Sequence, residues 1–172
     1  FLEHYPRVEN PPALAAYATQ ARYDELYMGD NLEKVLKKAN NDQGGIAWGL
    51  SYRMMSLNGT YRVTHDTKYL DANLKCIQTV FSVTDDKLGK TLWNGRVVKA
   101  WGSEKYAERG RAIFAVHTGI INAPILDFLR LVQTNPAYKA GLGEEFDKIL
   151  ENAAAALAEH DRQWHDGPGA NE

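Results

Sequence analysis

The chain is poor in several things, and each shortage removes a class of function. It has one cysteine, Cys76, among 172 residues, so an intramolecular disulfide is excluded and no cysteine cluster can hold a metal. Cys76 falls among the apolar positions of a predicted helix, where a small core side chain is expected. The two signs of charge nearly balance, 20 Lys and Arg against 22 Asp and Glu. The formal net charge is −2, without the basic excess that points to a nucleic-acid partner. No apolar run reaches roughly 18 residues, so no membrane span is expected. A phosphate-binding glycine loop, a metal-ligand spacing and a nucleophile elbow are missing, so neither cofactor nor metal is expected. No signal peptide is visible. The chain opens at Phe1 and closes at Asn171-Glu172, straight after Asp166-Gly167-Pro168-Gly169. That reads as a processed or truncated piece of something longer.

What is present suits one globular domain over residues 1–172. Hydrophobic residues make up 44% and charged residues 24%, ordinary values that allow a real core at this length. Residues 1–11 are irregular, Pro11 and Pro12 suit a first helical turn, and 13–27 has helical composition. Gly29-Asp30 reads as a stop followed by an N-cap, and 31–39 as a short helix. Ile46, Leu50, Met54, Leu57 and Tyr61 then recur at three- and four-residue spacing, which is one helical face. Asn58-Gly59-Thr60 inside it matches the glycosylation sequon, a short and common pattern. A second strong helix is predicted over 69–81, with Leu70, Leu74, Ile77 and Phe81 as its stripe. The last helix is predicted over 144–160, with Phe146, Ile149, Leu150, Ala153 and Leu157 inward.

Two stretches break this helical pattern. Around Asn94-Gly95, the strongest short hairpin signal, residues 91–93 and 97–101 look like short strands. They predict a small β-hairpin insert near 90–101 with Trp93 and Trp101 on its arms. The other is 108–132, which opens with Arg109 and Arg111, carries His117, and closes as an apolar segment containing Pro124. Proline lacks an N–H and clashes one turn back, so a helix here is expected to kink or to begin near it.

A repeat is also legible. An apolar helix ends at Val63, a turn follows, and Tyr69 opens an amphipathic helix. Val132 and Tyr138 repeat the spacing. This predicts an all-α helical-hairpin repeat with a long insertion between copies, of the kind that stacks or closes into a ring. The segments Ala47-Trp48-Gly49-Leu50-Ser51-Tyr52, His65-Asp66-Thr67-Lys68-Tyr69-Leu70, Val116-His117-Thr118-Gly119 and Glu159-His160-Asp161-Arg162-Gln163-Trp164 carry a resemblance over 44–164. The chain resembles part of an (α/α) toroid, the fold of six-hairpin glycosidases, polysaccharide lyases and uronyl epimerases. It has about half the helices of a complete toroid, so an incomplete ring or open array is implied.

The resemblance implies that inner-helix N-termini and their loops face a cleft, here 43–52 and 109–122. Helix N-termini attract anions and arginines pair with carboxylates. Arg109, Arg111 and Asn122 therefore suit an acidic sugar, with His117 as base or acid and Tyr52 and Glu108 as further catalytic candidates. Glycoside hydrolysis needs two carboxylates. Asp42, Asp85, Asp86, Glu108 and Asp161 are available, without a diagnostic spacing. Trp48, Trp93, Trp101 and Trp164 are candidates for sugar stacking, with Asp161 and His165 near the rim; core packing is the competing role for these rings. The expected function is a carbohydrate-active domain acting on an acidic polysaccharide or oligosaccharide, lyase or epimerase chemistry slightly ahead of hydrolysis, in an extracellular or periplasmic setting. The alternatives are a non-catalytic binding module and a structural fragment of a larger toroid.

Overall fold

The computed structural model describes residues 19–163. Trp164, His165 and the turn at 166–169 lie outside the described residues, as do Pro11 and Pro12. The chain divides into two compact units, Phe1–Lys37 and Lys38–Glu172. In the first, Thr19 caps α1 (Gln20–Tyr27), its Oγ1 accepting from the Arg22 N–H at 3.2 Å. Gly29, at φ +52°, turns the chain into α2 (Gly29–Leu36). The expected stop signal is thus the start of the next helix. That helix ends at Leu36, short of the expected Ala39.

The second unit holds the core. A π-helical turn, Ile46–Leu50, runs straight into α3 (Ser51–Thr64). There follow α4 (Lys68–Ser82), the single turn α5 (Asp85–Leu88), α6 (Ala115–Gln133), α7 (Pro136–Leu142), α8 (Glu145–Ala158) and a 3₁₀ turn at Asp161–Gln163. The protein is all-α among the described residues, with no β-strand. Ile46, Leu50, Met54, Leu57 and Tyr61 are all buried, as the periodicity predicts, and so are Leu70, Cys76 and Ile77.

Polar contacts fix the helix directions. Near the start of α6, His117 lies beside Trp48, and farther along Asn58 Nδ2 donates to the Pro124 carbonyl at 2.9 Å. Starts therefore meet starts, and α3 and α6 run the same way. Asn73 of α4 donates to Asn58 Oδ1 at 2.6 Å, and the left-handed cap His65 (φ 55°) reverses the chain between α3 and α4. His160, just past α8, bonds Thr118 in the first turn of α6 at 2.8 Å, so α8 returns antiparallel to α6. The result is two helical hairpins joined through α3 and α6. Their second links differ: α4 follows its turn directly, whereas α7 intervenes before α8. Asn58 joins three helices and is fully buried, so its amide is not open to glycosylation in the fold.

Three expectations need correction. Of the two expectations at Pro124, a helix that begins near it is the one overturned, since α6 opens at Ala115 and runs through it. On α8 the buried stripe is Phe146, Ile149, Ala153 and Ala156, while Leu150 and Leu157 face out; small alanines let α8 approach α6 closely, which turns the larger leucines away. The β-hairpin is absent because its arms have other partners. The carbonyls of Val98 and Ala100 accept from Asp86 and Asp85, and the Trp93 N–H donates to Arg111. Only the turn survives, closed by Leu92 N–H to Arg96 at 2.8 Å, and the pairing that forms lies later, as one antiparallel bridge of Ser103 with Ala112. By length and composition α6 is apolar enough to cross a membrane, with mean hydropathy 1.2, but over half of that window is buried, which is how a core helix behaves.

Candidate functional site

The site is built on a single amide. Asn41 lies in the loop before the π-helical turn, buried. Its Oδ1 accepts from the Ala47 N–H at 3.2 Å, and its Nδ2 donates to the Trp101 carbonyl at 3.0 Å. A backbone N–H can only donate and a carbonyl can only accept, so these two bonds fix which way the amide points. Its remaining proton faces His117 Nδ1 at 3.3 Å. Nδ1 is therefore the acceptor nitrogen, and the neutral ring carries its proton on Nε2. Burial holds the His117 pKa below its ordinary 6.5, because a charged ring loses its hydration there. Of the two roles expected of His117, base or acid, this geometry weighs against the base. A base needs an open acceptor nitrogen, and Asn41 occupies the one this ring has.

Aromatic rings surround His117. Trp48 and Tyr106 meet it edge-on, each with centroids 5.4 Å away, and Phe114 is tilted against it at 5.2 Å. Tyr106 also packs edge-on against Phe114 at 6.2 Å. The imidazole is 1% exposed, whereas Trp48 is 42% and Tyr106 48% exposed, so the histidine is a floor and these two rings are its rim. Gly44 (φ +77°) lies directly beneath. A Cβ there would stand 2.7 Å from Trp48 Cδ1 and 3.4 Å from Tyr106 Cε2. Lys105 places its ammonium over Tyr106 at 5.3 Å. Tyr52, one turn beyond Trp48, is 51% exposed.

A second cluster explains the arginines. Arg111 is buried and grips Asp85 with two bonds, Nε to Oδ2 at 2.8 Å and Nη2 to Oδ1 at 2.6 Å. Its Nη1 reaches Asp42 Oδ1 at 2.7 Å, and Lys90 Nζ joins the same carboxylate at 2.7 Å. Gly102 N–H donates to Asp85 Oδ1 at 3.1 Å. Burial pushes the Asp42 carboxyl up, but the bonds from Lys90 and Arg111 outweigh it and hold the pKa below 3.8. Arg111 is pushed the other way, above its already high value, as its two carboxylates overcome its own desolvation. Its expected role as a sugar-carboxylate ligand does not fit, since its donors already serve Asp85 and Asp42.

The remaining expected residues scatter. Trp101 is fully buried, with its Nε1–H donating to the Val80 carbonyl at 2.7 Å, and is a core residue. Asn122 is buried too. Its Nδ2 donates to the Thr118 carbonyl at 3.0 Å while its Oδ1 has no partner. Trp93 is exposed, with Arg109 stacked over its ring at 5.4 Å. Glu108 and Asp161 are on the surface. Of the expected set, Trp48 meets His117 and Arg109 covers Trp93, as two separate pairs. Tyr106, Phe114, Gly44 and Asn41 complete the cluster around His117; Gly44 and Phe114 fall in the stretches 43–52 and 109–122, whereas Tyr106 and Asn41 had not stood out in the sequence.

Among the described residues no three His, Cys, Asp or Glu side chains are grouped to hold a metal ion. Two open grooves are lined by other residues. One, of about 490 Å³, runs past Pro136, Lys139 and Phe146; the other, of about 540 Å³, past Arg96, Lys99 and Glu159. The aromatic cluster is the better candidate because its chemistry converges: exposed rings over a donor of fixed orientation. No known protein family, no curated protein and no solved structure matches this chain.

Proposed function

We propose that this chain is a carbohydrate-binding helical-hairpin domain of the (α/α) toroid type, with an acidic polysaccharide as its ligand. One observation carries the reading: Trp48 and Tyr106 stand half-exposed at the shared N-terminal ends of α3 and α6, over a neutral His117. Flat, half-exposed rings at a protein surface offer an apolar face with a polar edge, which suits the apolar face of a sugar. Lys105 over Tyr106 supplies a cation for a uronate. The parallel α3 and α6, each backed by an antiparallel helix, support the toroid reading of the hairpins. An extracellular or periplasmic setting goes with such a ligand.

Lyase or epimerase chemistry is the second reading. It requires a base and a carboxylate-neutralising cation together, and the engagement of His117 by Asn41 and of Arg111 by Asp85 weighs against it. The test is a titration of tryptophan fluorescence with uronate oligosaccharides, run beside an absorbance assay for unsaturated product. Binding that weakens about five-fold or more in Trp48→Ala, with no product formed, is the expected result. Binding indifferent to Trp48 and Tyr106 substitutions would sink the proposal, and product formation would restore the enzymatic reading.

A further inference from the structure

The groove at the far end of α8 has a charge pattern that the core does not need. Arg96, Lys99 and Arg162 line it together with Val97 and Glu159. Glu159 is neutralised in place: its Oε2 accepts from Arg96 Nη2 at 2.9 Å and its Oε1 from the Lys99 backbone N–H at 2.9 Å. That leaves the Lys99 ammonium and the Arg162 guanidinium as positive charge facing a groove of about 540 Å³. Both side chains belong to exposed residues.

Position strengthens the point. The His160–Thr118 bond of 2.8 Å ties the end of α8 to the first turn of α6, next to His117 and Phe114. The cationic groove and the aromatic cluster therefore lie at the same end of the bundle.

We infer that this groove is an anion subsite, in which Lys99 and Arg162 take a carboxylate or sulfate group of an acidic glycan chain that also touches the rings at Trp48 and Tyr106. The inference rests on the carbohydrate reading and adds to it that the ligand is a polymer, since two contact regions at one end of the fold select an extended chain. The competing account is that these cations only offset the partial negative charge at the C-terminal end of α8.

The experiment uses the full chain and three polymers: polygalacturonate, dextran sulfate and unsubstituted dextran. Binding is followed by calorimetry across a range of salt. Lys99→Ala combined with Arg162→Ala is expected to weaken the charged polymers roughly ten-fold and to flatten their salt dependence. Arg96 is left in place so that Glu159 keeps its partner. Unchanged affinity and salt dependence in the double variant would overturn the subsite while leaving the aromatic reading standing. Loss of thermal stability without loss of binding would assign the cations to the helix end instead. If no polymer binds the unaltered protein, inorganic sulfate decides the groove alone. Saturable shifts of the Lys99 and Arg162 side-chain NMR signals keep it as an anion site without the glycan, and their absence removes it.

Discussion

Arg111 and Asp85 are joined side by side, Nε to Oδ2 at 2.8 Å and Nη2 to Oδ1 at 2.6 Å, with Asp85 wholly out of solvent. The pair fastens the end of the long insertion to α5. Replacing Arg111 by methionine leaves a buried carboxylate alone, and a loss of about 3–5 kcal/mol is expected. Urea denaturation measures it. Adding Asp85→Leu to that variant should recover part of the loss, and a strictly additive double variant would show that the two do not act as a unit.

Acid should weaken the fold in two stages. His117 has a folded pKa below 6.5, so the unfolded chain binds its proton first. The stability this ring contributes is complete above about pH 6.5 and declines as the pH falls toward the folded value. Asp42 is also depressed, below 3.8; its contribution is present above that value and is lost only as the pH drops through the lower, folded one. Urea midpoints taken from neutral to strongly acidic pH should fall in both windows, and His117→Gln should remove the first decline alone.

Asn41→Asp reverses the local chemistry at His117. A carboxylate beside Nδ1 accepts where the amide donates, and a nearby negative charge favours the imidazolium. The His117 titration followed by NMR is expected to move from below 6.5 to above it. A ring that still titrates below its ordinary value would mean that Asn41 does not govern it.

Gly44→Ala strikes the rim from beneath. The backbone there is left-handed, at φ +77°, and the new Cβ would stand 2.7 Å from Trp48 Cδ1. Strain of about 1 kcal/mol or more is expected from the backbone alone, with the indole displaced from His117. Reduced stability together with an altered Trp48 fluorescence spectrum is the predicted pair of results.

The helices were legible because their signals are local. The five apolar residues from Ile46 to Tyr61 all point inward, as periodicity alone requires. Trp48 and His117 stood out for their residue types. Tyr106 did not, and Phe114 did only as part of 109–122, because both lie in an irregular segment without period, and their place depends on the chain returning from Ser103 to Ala112. The strands around Asn94-Gly95 failed for a related reason: the turn is encoded locally, but the partners of its arms, Asp85, Asp86 and Arg111, lie outside it. Arg111 read as a ligand for a negative group, and it is one, for carboxylates of its own chain. Leu150 and Leu157 show the limit of a stripe drawn by hydrophobicity alone, since the neighbouring alanines decide which face can approach α6.

The π-helical turn at Ile46–Leu50 carries one residue more than the helix after it needs, so that the Ser51 N–H reaches back five positions to Ile46. Each residue of an α-helix advances its neighbours by about 100°. Deleting Gly49, beside which nothing is crowded, would restore ordinary winding and swing the indole of Trp48 out of phase with the imidazole. A chain one residue shorter at this point is expected to keep its helices and lose the face that Trp48 shares with His117.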